Sequence, residues 1–133
     1  MAIDYLHRVI VQGPPDDVRE FRRHMHREYP RTIGGKTWTE FVPFSFAALY
    51  EMAPAVRRIE REPPCDPYEL SAWPVRRVAR GLAEARYQFQ TKNVEMIGFV
   101  RVLSRARPSL TFTPATLCLD DPSILVYDRI WPE

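Results

Sequence analysis

The residue types that most often carry catalysis are few in this chain of 133 residues, and their spacing does not fit a catalytic or metal site. His24 and His26 lie two apart on a predicted helix, so they point to different faces and cannot share a metal as an i, i+4 pair could. Neither Cys65 nor Cys118 has the paired spacing of a zinc site or a base beside its thiol. We predict no catalytic residue, no metal and no cofactor, and favour a protein that is not an enzyme.

One segment resembles an anion-binding loop. The stretch VIVQGPPDDVREFR at 9–22 is similar to the V-Q-G-V-x-F-R loop of acylphosphatases, which offers backbone N–H groups and an arginine to an acyl phosphate. Here Pro14 and Pro15 remove two of those donors, and Asp16 and Asp17 would repel the anion. The sequence therefore argues against phosphate binding by this loop.

The basic residues form the strongest asymmetry in the sequence. The chain has 17 arginines and 2 lysines with a net charge of +2, and residues 76–107 carry eight basic residues against only Glu84 and Glu95. Such a segment could neutralise a phosphate backbone, although helix arginines are often simply solvated. The candidates for polyanion binding are Arg76, Arg77, Arg80, Arg86, Lys92, Arg101 and Arg105.

The first third of the chain predicts a strand, a helix and a hairpin or loop. Residues 5–12 are rich in β-branched side chains and predict a strand. After the two prolines, an apolar stripe with helical spacing predicts a helix that ends at Pro30 and buries Val18, Phe21, Met25 and Tyr29. Residues 31–40 predict a loop or a frayed hairpin around the only adjacent glycine pair.

The middle of the chain predicts an aromatic strand and a proline-rich helical insert at about residues 50–84. Phe41 to Phe46 reads as a strand, and residues 53–62 as a short helix. Ser71 is expected to cap a second helix, with Pro74 in its first turn. One face of that helix would carry Val75, Val78, Ala79 and Leu82.

The last third predicts a strand, a helix and two more strands. Tyr87, Phe89 and Thr91 alternate with polar residues, and Asn93 is expected to cap a helix that runs to Pro108. Strands follow at 110–119 and 124–131. The order predicts an α+β fold of the ferredoxin-like, split β-α-β kind, with two helices on one face of an antiparallel sheet and residues 1–133 in one domain.

Several segments resemble the YubB-type ferredoxin-like domain family, small bacterial proteins often carried on plasmids and phages. These segments are VQGPPDDV at 11–18, FSFAALYEMAP at 44–54, YQFQTKNV at 87–94 and RPSLTF at 107–112. The tryptophan-rich W-G-T-K-W signature of the family is absent, and only Trp73 is near its place. The resemblance implies the fold and leaves the function open, because the family has no established activity.

The predicted sheet leaves one face without helices, and the strands carry more aromatic residues than one small core obviously needs. These residues are Tyr5, Phe44, Phe46, Tyr87, Phe89, Phe112, Tyr127 and Trp131. We therefore expect the protein to act through protein contacts, with self-association as the leading form. The alternatives are binding of nucleic acid or another polyanion through residues 76–107, and binding of a small molecule between the sheet and the insert.

The chain also predicts its compartment. Residues 1–12 lack the features of a secretory signal, and no apolar run reaches the length of about 18 residues that a membrane span needs. We expect a cytoplasmic protein with no membrane partner, in which both cysteines are free thiols.

Overall fold

The structure is a computed structural model that describes residues 3–58, 66–94, 96–120 and 125–128, the last four as backbone only. These residues form a mixed α+β fold with antiparallel sheets. The elements are β1 (Asp4–Gly13), α1 (Pro15–Met25), β2 (Arg27–Ile33), β3 (Lys36–Val42), α2 (Phe46–Met52), a 3-10 turn (Pro54–Arg58), β4 (Tyr68–Ala79), β5 (Leu82–Lys92), α3 (Ile97–Ala106), β6 (Thr111–Cys118) and β7 (Leu125–Asp128).

The main sheet of the described residues has five strands in the order β4-β5-β1-β6-β7. Strand β1 lies at its centre and pairs antiparallel with β5 and β6, so that Val9 lies opposite Tyr87 on one side and Pro114 on the other. Strands β2 and β3 pair only with each other among the described residues. The predicted strands at 5–12, 87–91 and 110–119 are confirmed by this sheet.

One face of the main sheet carries the core. Val9, Tyr87 and Phe112 alternate along their strands toward this face and are fully buried. Phe21 of α1 packs edge-on against Phe112 with ring centroids 5.5 Å apart, and α3 adds Phe99 to the same core. Helices α1 and α3 thus lie on one face of the sheet. We call the other side, where Arg8 and Gln88 are exposed, the open face.

The prediction of a helix capped by Ser71 is wrong, because this segment forms strand β4. Its residues pair with β5, with Ser71 opposite Gln88 and Trp73 opposite Arg86. Pro74 is tolerated because β4 is an edge strand of the described sheet and its register shifts between Trp73 and Arg76. The apolar residues from Val75 to Leu82 have helical spacing only by coincidence, because they lie on a largely exposed strand and at the start of the next one.

The first helix ends earlier than predicted, and the predicted aromatic strand does not continue beyond Val42. Helix α1 stops at Met25, so Tyr29 lies in β2 and outside the helical stripe. The predicted loop or hairpin is a hairpin, because Gly34 and Gly35 have positive φ angles of 59° and 78° and make the tight turn. Strand β3 ends at Val42, beyond which Phe44 packs in the core.

Helix α2 replaces the end of the predicted aromatic strand. The Ser45 hydroxyl accepts a hydrogen bond from the Ala48 N–H at 3.4 Å and caps the helix, so Phe46 begins it. The predicted helix at 53–62 is a 3-10 turn over Pro54–Arg58, and its remainder lies outside the described residues.

Asn93 does not cap α3, contrary to the prediction. It has a φ angle of 59°, and its side-chain oxygen accepts a hydrogen bond from the Ile3 N–H at 2.8 Å. Met96 is the residue that precedes α3. The final predicted strand is observed over Leu125–Asp128, and the rest of it lies outside the described residues.

Candidate interaction sites

His7 is a buried histidine on β1 and lies between the neighbouring strands β5 and β6. Its Nε2 is 2.7 Å from the Thr91 hydroxyl and 3.1 Å from the Val94 carbonyl, and its Nδ1 is 2.8 Å from the Thr116 hydroxyl. A carbonyl only accepts, so the proton belongs on Nε2, and the Thr116 hydroxyl donates to Nδ1. Burial lowers the pKa of His7 to about 4, although the hydrogen bond to Val94 opposes that shift.

Of the other two histidines, His24 is exposed and His26 is half-buried, and each lies beside a different carboxylate. His24 is 3.5 Å from Glu20 on α1, and His26 is 3.3 Å from Glu28 and stacks on Phe41. Among the described residues, no group of three or more histidine, cysteine or acidic side chains could hold a metal ion. Cys118 is a free, half-buried thiol at the end of β6, and Cys65 lies outside the described residues.

The predicted polyanion-binding residues do not form one site. Arg76, Arg77, Arg80 and Arg86 lie on the β4–β5 hairpin, but Lys92 is at the opposite end of β5. Arg101 and Arg105 belong to α3, which lies in the helical layer on the core side of the sheet. The segment 76–107 is therefore divided among three places in the fold.

Two of the hairpin arginines are held by an internal carboxylate. Glu84 is buried although it faces the open side of the sheet, and it accepts hydrogen bonds at 2.9 Å from both Gln12 and Arg76. Arg86 approaches the same carboxylate at 3.5 Å. This ion pairing lowers the charge that Arg76 and Arg86 can offer to a ligand.

Three arginines outside the predicted segment join its hairpin part. Arg19, Arg22 and Arg23 lie on α1, and the Arg22 guanidinium donates a hydrogen bond to the Trp73 carbonyl of β4. With His26, these three arginines line a cavity of about 350 Å³. We name the set of Arg19, Arg22, Arg23 and Arg77 the α1–β4 basic surface, and leave out Arg76 because it binds Glu84 on the open face. Its signal in the sequence is the i, i+3, i+4 spacing of the α1 arginines outside the apolar stripe.

The aromatic residues expected at an interface lie in the core instead. The described members of that set are all buried. Phe44, for example, contacts both Tyr87 and Phe89, with ring centroids 5.1 and 4.9 Å apart. The Tyr127 side chain and Trp131 lie outside the described residues. The described aromatics therefore give no reason to expect an interface on the open face.

A different element carries exposed apolar side chains. We name the hairpin of β2 and β3, residues 27–42, the arm. Ile33 is 71% exposed, Phe41 60% and Trp38 47%, and Val42 is the only buried residue of these two fully described strands. The Ser45 N–H donates to the Met25 carbonyl at 3.0 Å, which brings the two ends of the arm together.

A small-molecule site is predicted between the sheet and the helical insert, but the second half of that insert is β4 and so belongs to the sheet itself. A cavity of about 390 Å³ lies between residues 52–58 and α3, with Met52, Pro54 and Val102 among its walls. The described residues that line it belong to helical elements or to the short link between them, and none belongs to the sheet. A smaller cavity of about 230 Å³ lies on the open face beside Leu6, Arg8 and Leu117.

Comparison of the chain with protein-family models, with curated proteins and with solved structures finds no match. None of the helices in the described ranges is long and apolar enough to cross a membrane.

Proposed function

We propose that the protein acts by self-association and that the arm is the element that mediates it. The observation that carries the proposal is the exposure of Ile33, Trp38 and Phe41 on a hairpin that packs little against the rest of the described chain. Scattered apolar residues on a protein surface need no explanation, but three on one small hairpin do.

The physics of a lone hairpin supports this function. A two-stranded ribbon is marginally stable in water, and three or more strands with an apolar face are needed for independent stability. The arm also leaves the outer edges of β2 and β3 unpaired among the described residues. A second copy of the chain would cover apolar surface and supply strands at once.

The test compares two exposed tryptophans. We expect sedimentation velocity over a wide concentration range to detect a dimer, and Trp38→Ala to weaken it by at least about tenfold, since buried tryptophans often dominate interfaces. Trp73→Ala is the matched control, because Trp73 is 43% exposed but lies on β4, outside the arm. A wild-type protein that stays monomeric at every concentration would refute the proposal.

We also propose a ferredoxin-like relationship for the main sheet. Helix α1 is part of the connection from β1 to β4, and β5 lies between those two strands in the sheet. Helix α3 lies in the connection from β5 to β6, and β1 lies between those two. This arrangement is consistent with two split β-α-β units, to which β7, α2 and the arm would be additions. Membership of the YubB-type family and a cytoplasmic location stay predictions.

A second candidate function is binding of nucleic acid or another polyanion, now assigned to the α1–β4 basic surface. The Arg22 contact with Trp73 favours it, because that contact joins the arginines of α1 to β4, the distant strand that carries Arg77. Ion pairs cover the surface only in part: Arg19 is 3.5 Å from the fully exposed Asp16, and such exposed pairs are weak.

A salt titration tests this candidate. Labelled single-stranded and duplex DNA should bind at about 50 mM salt and dissociate toward about 200 mM, because binding releases counterions. The double variant Arg19→Ala/Arg23→Ala should bind several-fold more weakly and with a shallower salt slope. Arg57→Ala/Arg58→Ala removes the same charge from the 3-10 turn and is the control. Equal loss in both double variants, or no binding at low salt, would eliminate this function.

A further inference from the structure

We propose that two copies of this chain pair through the outer edges of their β3 strands, antiparallel and centred on Trp38, to form one four-stranded sheet. This inference rests on the proposed self-association through the arm and names its contact. The partner is a second copy of the chain, and the recognition element is the segment KTWTE at 36–40.

Strand β3 is the least protected edge in the described part of the fold. Proteins protect strand edges with proline, irregular pairing or short length. The outer edge of β2 contains Pro30, the edge of β4 contains Pro74 and three register shifts, and β7 is described over four residues only. Strand β3 has seven residues without proline and pairs regularly with β2. Its outer edge can therefore accept another strand.

The sequence of β3 is complementary to itself when two copies run antiparallel about Trp38. In that register Lys36 lies opposite the partner's Glu40, Thr37 opposite the partner's Thr39, and Trp38 opposite the partner's Trp38. Opposite charges, threonine pairs and aromatic pairs are all favourable directly across antiparallel strands. The two-fold symmetry repeats the charge pair and the threonine pair on the other side of the tryptophans.

Other registers lose this complementarity. Centred on Thr39, the strands would place Lys36 opposite the partner's Val42 and Trp38 opposite the partner's Glu40. Centred on Thr37, they would place Lys36 opposite the partner's Trp38. Neither register pairs opposite charges, so the register about Trp38 is the one that the side chains favour.

The arm itself supports the register. Within each arm Arg31 lies opposite Trp38, and its Nε donates to Glu40 at 2.6 Å. In the paired sheet Glu40 would therefore have a cation on each side, Arg31 from its own arm and Lys36 from the other copy. The central row would place the two tryptophans side by side with an arginine beyond each. The four strands would also reach the number of strands that a sheet needs for independent stability.

Charge reversal with mixing tests the register. Lys36→Glu and Glu40→Lys each place like charges opposite one another at both ends of the pairing, so each variant alone should dimerise at least about tenfold more weakly than wild type. An equimolar mixture should form a heterodimer close to wild-type affinity, because every reversed charge then meets its opposite. Sedimentation velocity with one variant fluorescently labelled gives the affinities. Lys92→Glu is the matched control, since it makes the same charge change at the end of β5.

Glu40→Lys also removes the ion pair with Arg31 and puts a lysine beside that arginine. Cysteine cross-linking is independent of this complication. In a background where Cys65 and Cys118 are serine, a mixture of Thr37→Cys and Thr39→Cys should form an intermolecular disulfide much faster than either variant alone.

The outcomes separate the two proposals. A monomeric wild-type protein refutes self-association, and the register with it. If the wild-type protein dimerises, any one of three results refutes the register while self-association stands. The single charge reversals leave dimerisation intact, or mixing the two reversed variants fails to restore it, or Thr37→Cys alone cross-links as well as the mixture. Weakening by each reversal, recovery on mixing and selective cross-linking of the mixture support the pairing about Trp38.

Discussion

At the residue scale, His7 makes folding sensitive to acid. Its two ring nitrogens are occupied by Thr91, Val94 and Thr116, and burial lowers its pKa to about 4 from the ordinary value of 6.5. Between these two pH values the unfolded chain binds a proton at this histidine and the folded chain does not. The free energy of unfolding therefore falls as the pH is lowered through that window.

We expect His7 to account for up to about 3 kcal/mol of lost stability between pH 6.5 and pH 4, from the difference between the two pKa values. Urea unfolding at several pH values should show a shallower pH dependence for His7→Gln than for wild type. His24→Gln, at an exposed histidine of α1, controls for the change of residue type. Parallel pH profiles for wild type and His7→Gln would contradict the buried, neutral ring.

Tyr87 shows the opposite situation, a buried polar group without a partner. Burial raises the pKa of its hydroxyl, with Arg22 opposing the shift, and among the described residues that hydroxyl has no hydrogen-bond partner. We expect Tyr87→Phe to raise the free energy of unfolding by about 1 kcal/mol, because it removes an unsatisfied group from the core. Tyr68→Phe is the control, since its exposed hydroxyl donates to Asp4 at 2.7 Å. Destabilisation by Tyr87→Phe in urea unfolding would show that the hydroxyl is satisfied.

At the element scale, the sequence predicted the strands and helices whose apolar pattern meets the core. Strand β1 and helix α1 bury one face each, so their periods of two and 3.6 residues are clear. Strand β4 could not be predicted in this way, because most of it is exposed and burial therefore does not determine at which positions its valines occur. The same holds for the arm, whose pairing depends on the Gly34–Gly35 turn and hardly on the core.

The junction between β1 and α1 depends on the absence of a side chain. A Cβ on Gly13 would lie 2.8 Å from the Ser109 carbonyl oxygen and 2.8 Å from Leu110 Cδ2. A backbone oxygen cannot move without shifting the start of β6, so we expect Gly13→Ala to lower the free energy of unfolding by about 2 kcal/mol. Urea unfolding followed by circular dichroism measures this.

Gly35→Ala is the comparison for that substitution. Gly35 has a φ angle of 78° but no heavy atom within 4 Å of its added Cβ, so its cost of about 1 kcal/mol is backbone strain in the turn of the arm. A Gly13→Ala protein as stable as wild type, or no less stable than Gly35→Ala, would mean that the contact with Ser109 is looser than the structure has it.

At the scale of the whole molecule, the candidate surfaces depend on contacts that no local pattern contains. The charge excess of residues 76–107 is plain in the sequence, but Glu84 binds two of its arginines only because β4, β5 and β1 are neighbours. Arg22 meets Trp73 for the same kind of reason, since α1 lies over the sheet beside β4. The exposure of Trp38 is likewise a consequence of the arm lying outside the core.

The arm and the rest of the chain should therefore be separable. Residues 28–41 contribute no buried side chain, Arg27 pairs with Val42 at the base, and the Ser45 N–H to Met25 carbonyl bond holds both ends. Replacing residues 28–41 by Asn-Gly, a two-residue turn suited to join paired strands, should change the free energy of unfolding by less than about 1 kcal/mol. Self-association should be lost, because the exposed apolar residues and the β3 edge are gone.

Urea unfolding and light scattering on the same samples measure both effects, and Trp38→Ala in the intact arm distinguishes loss of one side chain from loss of the element. A shortened protein that fails to fold would mean that the arm belongs to the folding core. A shortened protein that folds and still dimerises would place the contact elsewhere, with the exposed Trp73 on β4 as the next residue to substitute.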